Sequence, residues 1–239
     1  MHTFHPYSIF PLGDRALTIE FGHVLNEELN EKVLRLFRQL KSKAYPFVVD
    51  LLPAYSSLTV YYDVPYLRQH YPLQTAFETM VLGIENLRME EEALQTEKRL
   101  MKVPVCYERS FAPDIEELAK SKNISVEEVI RLHMSKTYRV YLIGFLPGFP
   151  YMGEVDERIA MPRREQPRTH VAAGSVGIAG KQTGIYPTTS PGGWQIIGRT
   201  PLTLFNQHQT DPVLFSPGDE VQFYSITEDE FVHYQSRTA

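Results

Sequence analysis

The sequence THVAAGSVGIAGKQTGIYPTTSPGGWQIIGRTP, from Thr169 to Pro201, decides the fold class of the second half of the chain. It belongs to a glycine-rich region, because ten of the 14 glycines lie between Gly144 and Gly198. Glycine supplies the positive φ and the close backbone approach that tight corners between strands require. Short strands separated by glycine and proline are typical of a β-barrel or sandwich rather than a parallel sheet. We predict strands over 139–145, 176–179, 195–197, 202–205 and 220–226.

The same stretch carries unbalanced positive charge. No aspartate or glutamate occurs from Gln166 to Thr210, although the whole chain has a formal net charge of -5. Close backbone approach, hydroxyl groups, an amide, an indole and free cations together indicate a pocket for a small anionic molecule. The alternative, which stays open, is a run of tight barrel turns that binds nothing.

The residues predicted to bind a substrate are Arg168, Gly174, Ser175, Gln182, Thr183, Tyr186, Trp194 and Arg199. Each arginine can hold a carboxylate or a phosphate through two parallel hydrogen bonds. The glutamine, the threonine and the tyrosine can orient a planar amide, and the chain's only tryptophan can form a wall of the pocket. In the competing interpretation the two large aromatic residues lie in the core, and the arginines pair with Asp211, Asp219 or Glu220.

Three common kinds of catalytic or binding motif do not fit the stretch. A phosphate-binding P-loop needs glycine where Ser175 stands and a serine or threonine where Gln182 stands. A serine nucleophile elbow needs glycine at Ala173 and a strand-turn-helix setting. The eight histidines are dispersed, so we predict no bound metal in this chain. We assign no catalytic residue from the sequence.

The first part of the chain has a different pattern. Apolar residues at helical spacing follow Asn26, a good helix-capping residue, and a second helix is predicted to begin at Pro72. Strands precede, separate and follow these helices, and the last of them is expected from Lys98 to Cys106. The order βαββαβ is that of a ferredoxin-like domain. We therefore predict an α+β chain with a ferredoxin-like domain over 1–95 and a β-barrel domain over 96–239.

Composition excludes several classes of protein. The chain has 239 residues, 43% hydrophobic residues and a net negative charge, which is ordinary for a globular protein and argues against a nucleic-acid partner. No apolar run is long enough to span a bilayer, and the first residues do not have the pattern of a secretory signal. Cys106 is the only cysteine, so no intrachain disulfide can form, and we expect a cytoplasmic protein.

Several long motifs resemble a known family. They are Tyr138–Tyr141, Gly144–Tyr151, Pro162–Arg164, Pro167–Arg168, Ala173–Gly180, Gln182–Pro187, Ser190–Trp194, Ile197–Pro201 and the amino-terminal Gly13–Leu17. Together they resemble the family of the bacterial 5-oxoprolinase B subunit, also called allophanate hydrolase subunit 1 and, in Bacillus, the sporulation kinase inhibitor family. The resemblance is strongest over residues 100–226.

The resemblance implies a cyclophilin-like β-barrel, in agreement with the glycine pattern. It also implies ATP-dependent opening of 5-oxo-L-proline to L-glutamate, shared with the A and C subunits of 5-oxoprolinase, with ATP as co-substrate. Related sequences occur within urea-degrading enzymes, so a urea-derived amide is a second substrate class. The resemblance assigns no catalytic role to His170 or Lys181, and Ala172 stands where the family usually has a proline.

The kinase-inhibitor members of the family imply an alternative function. In this hypothesis the chain binds the dimerisation and phosphotransfer domain of a sensor histidine kinase through an apolar patch of the barrel. The aromatic loop from Phe145 to Tyr151 is the candidate patch. Its exposure discriminates between the hypotheses, because a loop buried against the protein's own core offers little surface for docking.

Overall fold

The chain divides into two compact units, Met1–Glu97 and Lys98–Ala239. The computed structural model describes residues 7–87 of the first unit and 99–238 of the second. The predicted α+β class is confirmed, as is a closed barrel in the second unit. None of the helices in these two ranges is long and apolar enough to cross a membrane.

Over residues 7–87, the first unit contains one antiparallel sheet and three helices. Its elements are β1 Ser8–Pro11, β2 Ala16–Glu20, α1 Glu27–Lys43, β3 Val48–Pro53, β4 Ser57–Tyr62, α2 Val64–His70 and α3 Ala76–Glu85. The strands lie in the order β1-β2-β4-β3. Strand β4 therefore lies between β2 and β3, which is the split βαβ arrangement that the pattern predicts.

The ferredoxin-like prediction is wrong about the pairing of its last strand. The strand exists as Leu100–Cys106, but it pairs within the barrel of the second unit. The edge position beside β2 is taken by β1, which is joined to β2 by a turn at Gly13 with φ 64°. A hairpin of this kind closes a short loop, and loop-closure entropy rises with loop length.

Local sequence signals account for the helices of the first unit. The side chain of Asn26 accepts a hydrogen bond from the Leu29 amide at 3.0 Å, which caps α1. The predicted second helix begins later than Pro72, because Thr75 and Glu78 form a capping box at the start of α3. Leu73, which lies before α3, is 98% exposed.

The second unit is a closed seven-stranded barrel with helices around it. Its elements are β5 Leu100–Cys106, α4 Ile115–Lys122, α5 Val126–Met134, β6 Thr137–Ile143, β7 Pro150–Gly153, β8 Arg168–Val171, β9 Ser175–Ala179, β10 Gln182–Ile185, β11 Ser190–Gly192, β12 Gln195–Arg199, β13 Glu220–Ile226 and α6 Glu228–Thr238. The barrel order is β10-β7-β6-β13-β5-β12-β9, and β9 pairs with β10 to close it. Strands β5 and β13 are parallel, whereas the other pairs are antiparallel.

The barrel interior is packed with side chains. Its fully buried residues include Val103, Val105, Val140, Met152, Val176, Ile178, Ile185, Ile197 and Val221. Glycine allows the strands to approach closely, since a Cβ on Gly198 would lie 2.6 Å from the Val105 side chain. The predicted strand over 202–205 is wrong, because only Phe205 forms a β-bridge there, with Val213.

Candidate functional site

The stretch from Thr169 to Pro201 forms part of the barrel and a small sheet outside it. Strands β9, β10 and β12 belong to the barrel, whereas β8 and β11 pair with each other in a separate two-stranded sheet. A second apolar cluster, distinct from the main core, contains residues of this stretch together with Phe149. The glycine-rich sequence therefore builds one side of the barrel and a layer covering it.

Four aromatic residues, Phe149, Tyr151, Tyr186 and Trp194, form what we call the aromatic cluster. Phe149 is fully buried, and its ring centroid lies 5.2 Å from that of Tyr186 and 5.3 Å from that of Trp194. Tyr151 contacts Trp194 edge to face at 5.8 Å. Such arrangements are preferred by aromatic rings and hold them in fixed positions. The cluster makes a rigid, apolar wall.

Beside this wall lies a group of charged residues that we call the arginine–aspartate cluster: Asp114, Arg163, Arg164 and Arg168. The Asp114 carboxylate accepts hydrogen bonds from Arg164 Nη1 at 2.9 Å and from Arg168 Nη2. Its other oxygen accepts the Ile196 backbone amide at 2.6 Å. The Asp114 side chain is only 2% exposed, so this carboxylate is buried among its donors.

Backbone and side-chain hydrogen bonds hold the arginine-bearing loop on the wall. The Arg164 amide donates to the Gly193 carbonyl at 2.8 Å. The side chain of Gln195, on β12, donates to the Pro162 carbonyl at 3.0 Å. The loop before β8 is therefore attached to the residues around Trp194 at two points.

The arginines and the aromatic residues are neighbours. The guanidinium carbon of Arg163 lies 6.0 Å from the Trp194 ring centroid, within the range of a cation–π contact. Burial raises the pKa of the Tyr186 hydroxyl, and the nearby charges of Arg163 and Arg168 oppose this increase. The hydroxyl also lies so close to Gly192 that a Cβ there would be 2.3 Å away. The structure thus brings together three predicted residues, Arg168, Tyr186 and Trp194.

Arg199 lies elsewhere, at the end of β12 and under helix α6. Its Nε donates to the Ala173 carbonyl at 2.7 Å, and its guanidinium carbon lies 5.7 Å from the Phe231 ring centroid. Burial lowers the pKa of this guanidinium. Over residues 7–87 and 99–238, no carboxylate forms an ion pair with it. It is a partly buried cation without a counter-charge in these ranges.

Gly174 has backbone contacts that explain its identity, and Ser175 follows it at the start of β9. Gly174 has φ 81°, and a Cβ there would lie 2.3 Å from the Thr200 carbonyl oxygen, so only glycine fits without strain. Its amide donates to the Tyr186 carbonyl at 2.7 Å. Ser175 is 5% exposed and pairs with Arg199 across the β9–β12 ladder.

Thr183 lies inside the barrel in a polar network that the sequence does not predict. Its hydroxyl donates to the Gly177 carbonyl at 3.1 Å and lies 3.0 Å from Nε2 of His133. The other ring nitrogen of His133 lies 2.8 Å from the Tyr107 hydroxyl. Burial lowers the pKa of His133 to about 3, so the ring is neutral. Thr183 is fully buried, and it helps to position this histidine.

The predicted residues therefore fall into groups rather than one pocket. Gln182 lies at the start of β10, where it pairs with Gly153 and Ala179. The substrate-binding roles of all eight residues stay predictions. Arg168 forms its ion pair with Asp114, which Arg164 shares, rather than with Asp211, Asp219 or Glu220, and Asp219 binds Arg99 instead.

Sequence reasoning missed Asp114, Arg163 and Arg164 as site residues. The pair Pro113–Asp114 has the pattern of a helix start, and Asp114 does precede α4. It makes no capping hydrogen bond through its side chain, because its carboxylate binds the arginines. The arginine pair stands out as a motif, but nothing in the sequence identifies Asp114, which lies 50 residues before Arg164, as its partner.

The aromatic loop from Phe145 to Tyr151 is mostly buried. Phe149 is fully buried and Tyr151 is partly buried, whereas Phe145 is 64% exposed and Pro147 is exposed. Much of the apolar surface of the loop is therefore buried against the protein's own core. Binding of a histidine kinase through this loop stays a prediction, with little exposed surface for it.

The polar side chains of the arginine–aspartate cluster are mostly guanidiniums. Within the described ranges, no group of three or more histidine, cysteine, aspartate or glutamate side chains could hold a metal ion. Guanidiniums, a phenol and backbone amides are instead the groups of anion recognition.

Comparisons with known proteins agree with this architecture. The family model for the carboxyltransferase domain, subdomain C and D, matches residues 7–215. The crystal structure of TTHA0988 superimposes with a TM-score of 0.76 at 34% identity, over 89% of this chain and 40% of that chain. The chain is thus of the carboxyltransferase-domain class, subdomain C and D.

Two curated proteins are similar to this chain over most of its length. The 5-oxoprolinase B subunit of Bacillus subtilis (strain 168) is 42% identical over 97% of this chain and 98% of the relative. The urea amidolyase of Saccharomyces cerevisiae (strain ATCC 204508 / S288c) is 28% identical over 91% of this chain but only 13% of its own length. The chain belongs to the family of the 5-oxoprolinase B subunit.

Proposed function

We propose that the chain is the B subunit of an ATP-dependent 5-oxoprolinase. In this reaction 5-oxo-L-proline, ATP and water give L-glutamate, ADP and phosphate, and the chain acts with the A and C subunits. One observation carries the proposal: the match to a 5-oxoprolinase B subunit runs over nearly the full length of both proteins. The match to urea amidolyase covers a small part of that protein, so a urea-derived amide is the weaker candidate substrate.

The chemistry needs stabilisation of negative charge. A lactam is a resonance-stabilised amide that water opens slowly, and phosphorylation of its oxygen makes the carbon electrophilic. Positive charge and backbone amides near that carbon stabilise the negative charge that develops when water attacks it and phosphate leaves. This chain offers Arg168, beside the aromatic cluster, and Arg199, which is partly buried without a carboxylate partner in the described ranges.

In the proposed reaction this chain and the A and C subunits have different roles. ATP is a co-substrate of the complex, and no residue of this chain is assigned to bind it. No resident metal is proposed for this chain. The chain supplies anion-binding side chains on a rigid wall, and a complete active site requires the other two proteins.

The test is reconstitution of the three proteins with 5-oxo-L-proline and ATP, measuring L-glutamate formation. We expect the Arg199→Ala variant to lose about 100-fold or more in rate, as when a donor to an oxyanion is removed. Arg131→Ala is the matched control, because Arg131 is an exposed arginine on α5 paired with Glu128. Fluorescence of Trp194 reports whether each variant is folded.

Two outcomes would count against the proposal at different levels. Full activity of a folded Arg199→Ala protein would refute the role of Arg199 alone. No turnover with all three wild-type proteins present would refute the enzyme function, and would favour the kinase-inhibitor hypothesis.

A further inference from the structure

The arginine–aspartate cluster has more positive than negative charge. Arg164 and Arg168 share the single buried carboxylate of Asp114, and Arg163 lies beside Trp194. The next carboxylate, that of Glu117, is 4.0 Å from Arg164 and 70% exposed, so water screens it. Three guanidiniums beside one buried carboxylate have a net positive charge, which favours the binding of a second anion.

The hydrogen bonds of the cluster are also incomplete. A guanidinium has five N–H donors. Nε of Arg164 and Nη1 of Arg168 are buried and have no acceptor among the residues that the structure describes. Buried donors in folded proteins are nearly always paired, so these two require an oxygen atom from a ligand or a bound water.

Solvent can nevertheless reach the cluster. The side chain of Arg164 is 32% exposed and that of Arg168 is 25% exposed. Arg163 is exposed and stands over the Trp194 ring. Each of the three arginine side chains is therefore partly accessible to a small molecule in solution.

We propose that Arg163, Arg164 and Arg168 form a binding site for a small oxyanion, a carboxylate or a phosphate, at the surface beside the buried Trp194. Asp114 is a positioning residue, which keeps Arg164 and Arg168 in place when the anion is absent. The identity of the ligand rests on the proposed function, which supplies a carboxylate in 5-oxo-L-proline and a phosphate from ATP. The existence of the site does not depend on that function.

The primary test is calorimetric titration of the full chain at constant ionic strength. The probes are 5-oxo-L-proline, inorganic phosphate and 2-pyrrolidinone, the same lactam ring without a carboxylate. We expect saturable binding of at least one anion and none of 2-pyrrolidinone. Binding of 5-oxo-L-proline alone identifies a carboxylate site, and binding of phosphate alone identifies a phosphate site. No saturable binding of either anion would overturn the proposal.

Variants locate the binding. Loss of one charged hydrogen-bonding group should weaken the affinity of Arg163→Ala by about tenfold or more. Arg131→Ala should bind like the wild type. Because Trp194 is the only tryptophan, its fluorescence should change on anion binding and report the position of the ligand. Unchanged affinity of Arg163→Ala would place the anion elsewhere and refute the site.

The Asp114→Asn variant adds a second, independent readout. It leaves two guanidiniums without their carboxylate, so its thermal midpoint should fall and should recover on addition of the bound anion. The anion should raise the midpoint of the variant more than that of the wild type. An equal rise in both would contradict the role given to Asp114. If the variant does not fold even with anion, the Arg163→Ala titration decides the question.

The two proposals can fail separately. Anion binding to this chain without glutamate formation in the three-protein mixture would refute the enzyme function and keep the site. Glutamate formation in that mixture, with an anion affinity that Arg163→Ala does not change, would refute the site and keep the enzyme function.

Discussion

Replacement of Asp114 by alanine is the perturbation whose size the structure determines best. The carboxylate is 2% exposed and accepts three hydrogen bonds, from two guanidiniums and the Ile196 amide. Removing one partner from a buried ion pair leaves uncompensated charge and typically costs about 3–5 kcal/mol. We therefore expect Asp114→Ala to lower the free energy of unfolding of the barrel unit by about that amount.

The assay is denaturant unfolding followed by Trp194 fluorescence. The only tryptophan lies in the barrel unit, so the signal reports that unit and not the amino-terminal one. In thermal unfolding, the same loss corresponds to a decrease of roughly 6–20 °C in the midpoint for a domain of this size.

Asp211→Ala is the matched control, because Asp211 is an exposed aspartate of the same unit. Its free energy of unfolding should stay within about 0.5 kcal/mol of the wild type. If Asp114→Ala loses less than about 1 kcal/mol, the arginines do not depend on this carboxylate, and the reasoning about the cluster is refuted.

Three further predictions concern the rest of the barrel unit. Gly174→Ala should destabilise it by at least about 1–2 kcal/mol more than Gly180→Ala, because both have positive φ but only Gly174 has a carbonyl oxygen where the Cβ would lie; equal losses in denaturant unfolding would contradict this. The pKa of His133 is about 3 in the folded chain against 6.5 as the ordinary value, so the unfolded chain takes the proton first. Stability should therefore fall as pH decreases below about 6.5, by up to about 1.4 kcal/mol per pH unit, and His133→Gln should flatten this dependence in unfolding curves measured between pH 7 and pH 5. Phe231→Ala should expose the buried thiol of Cys106, which packs against that ring, and speed its reaction with an aromatic disulfide reagent; an unchanged rate would show that α6 does not protect it.

Local patterns were enough to predict most of the barrel strands. Residues 220–226 form a strand as the pattern predicts, and the strands at 176–179 and 195–197 are each slightly longer than predicted. Alternation and glycine boundaries are properties of neighbouring residues, so a sequence displays them directly. The partner of a strand is not local. Leu100–Cys106 pairs in parallel with Glu220–Ile226, more than a hundred residues later, and no pattern near residue 100 indicates it.

In the site, too, local patterns could be predicted and partners distant in sequence could not. The charge imbalance around Arg168 is a matter of composition and could be predicted, whereas its partner Asp114 lies 54 residues earlier, in what reads as a helix start. His133 lies on α5 beside the buried Val129 and Leu132. The apolar pattern of that helix therefore predicts that His133 is an ordinary core residue. Only the closed barrel brings that ring to Thr183.

The most direct test of the function is a titration of this chain into fixed amounts of its two proposed partners, the A and C subunits of 5-oxoprolinase. With 5-oxo-L-proline and ATP in excess, the rate of L-glutamate formation is measured against the amount of chain added. We predict no glutamate formation without the chain and a rise to a plateau at a fixed ratio to the partners. A rate that does not depend on the chain, or no glutamate at any ratio, would contradict the account.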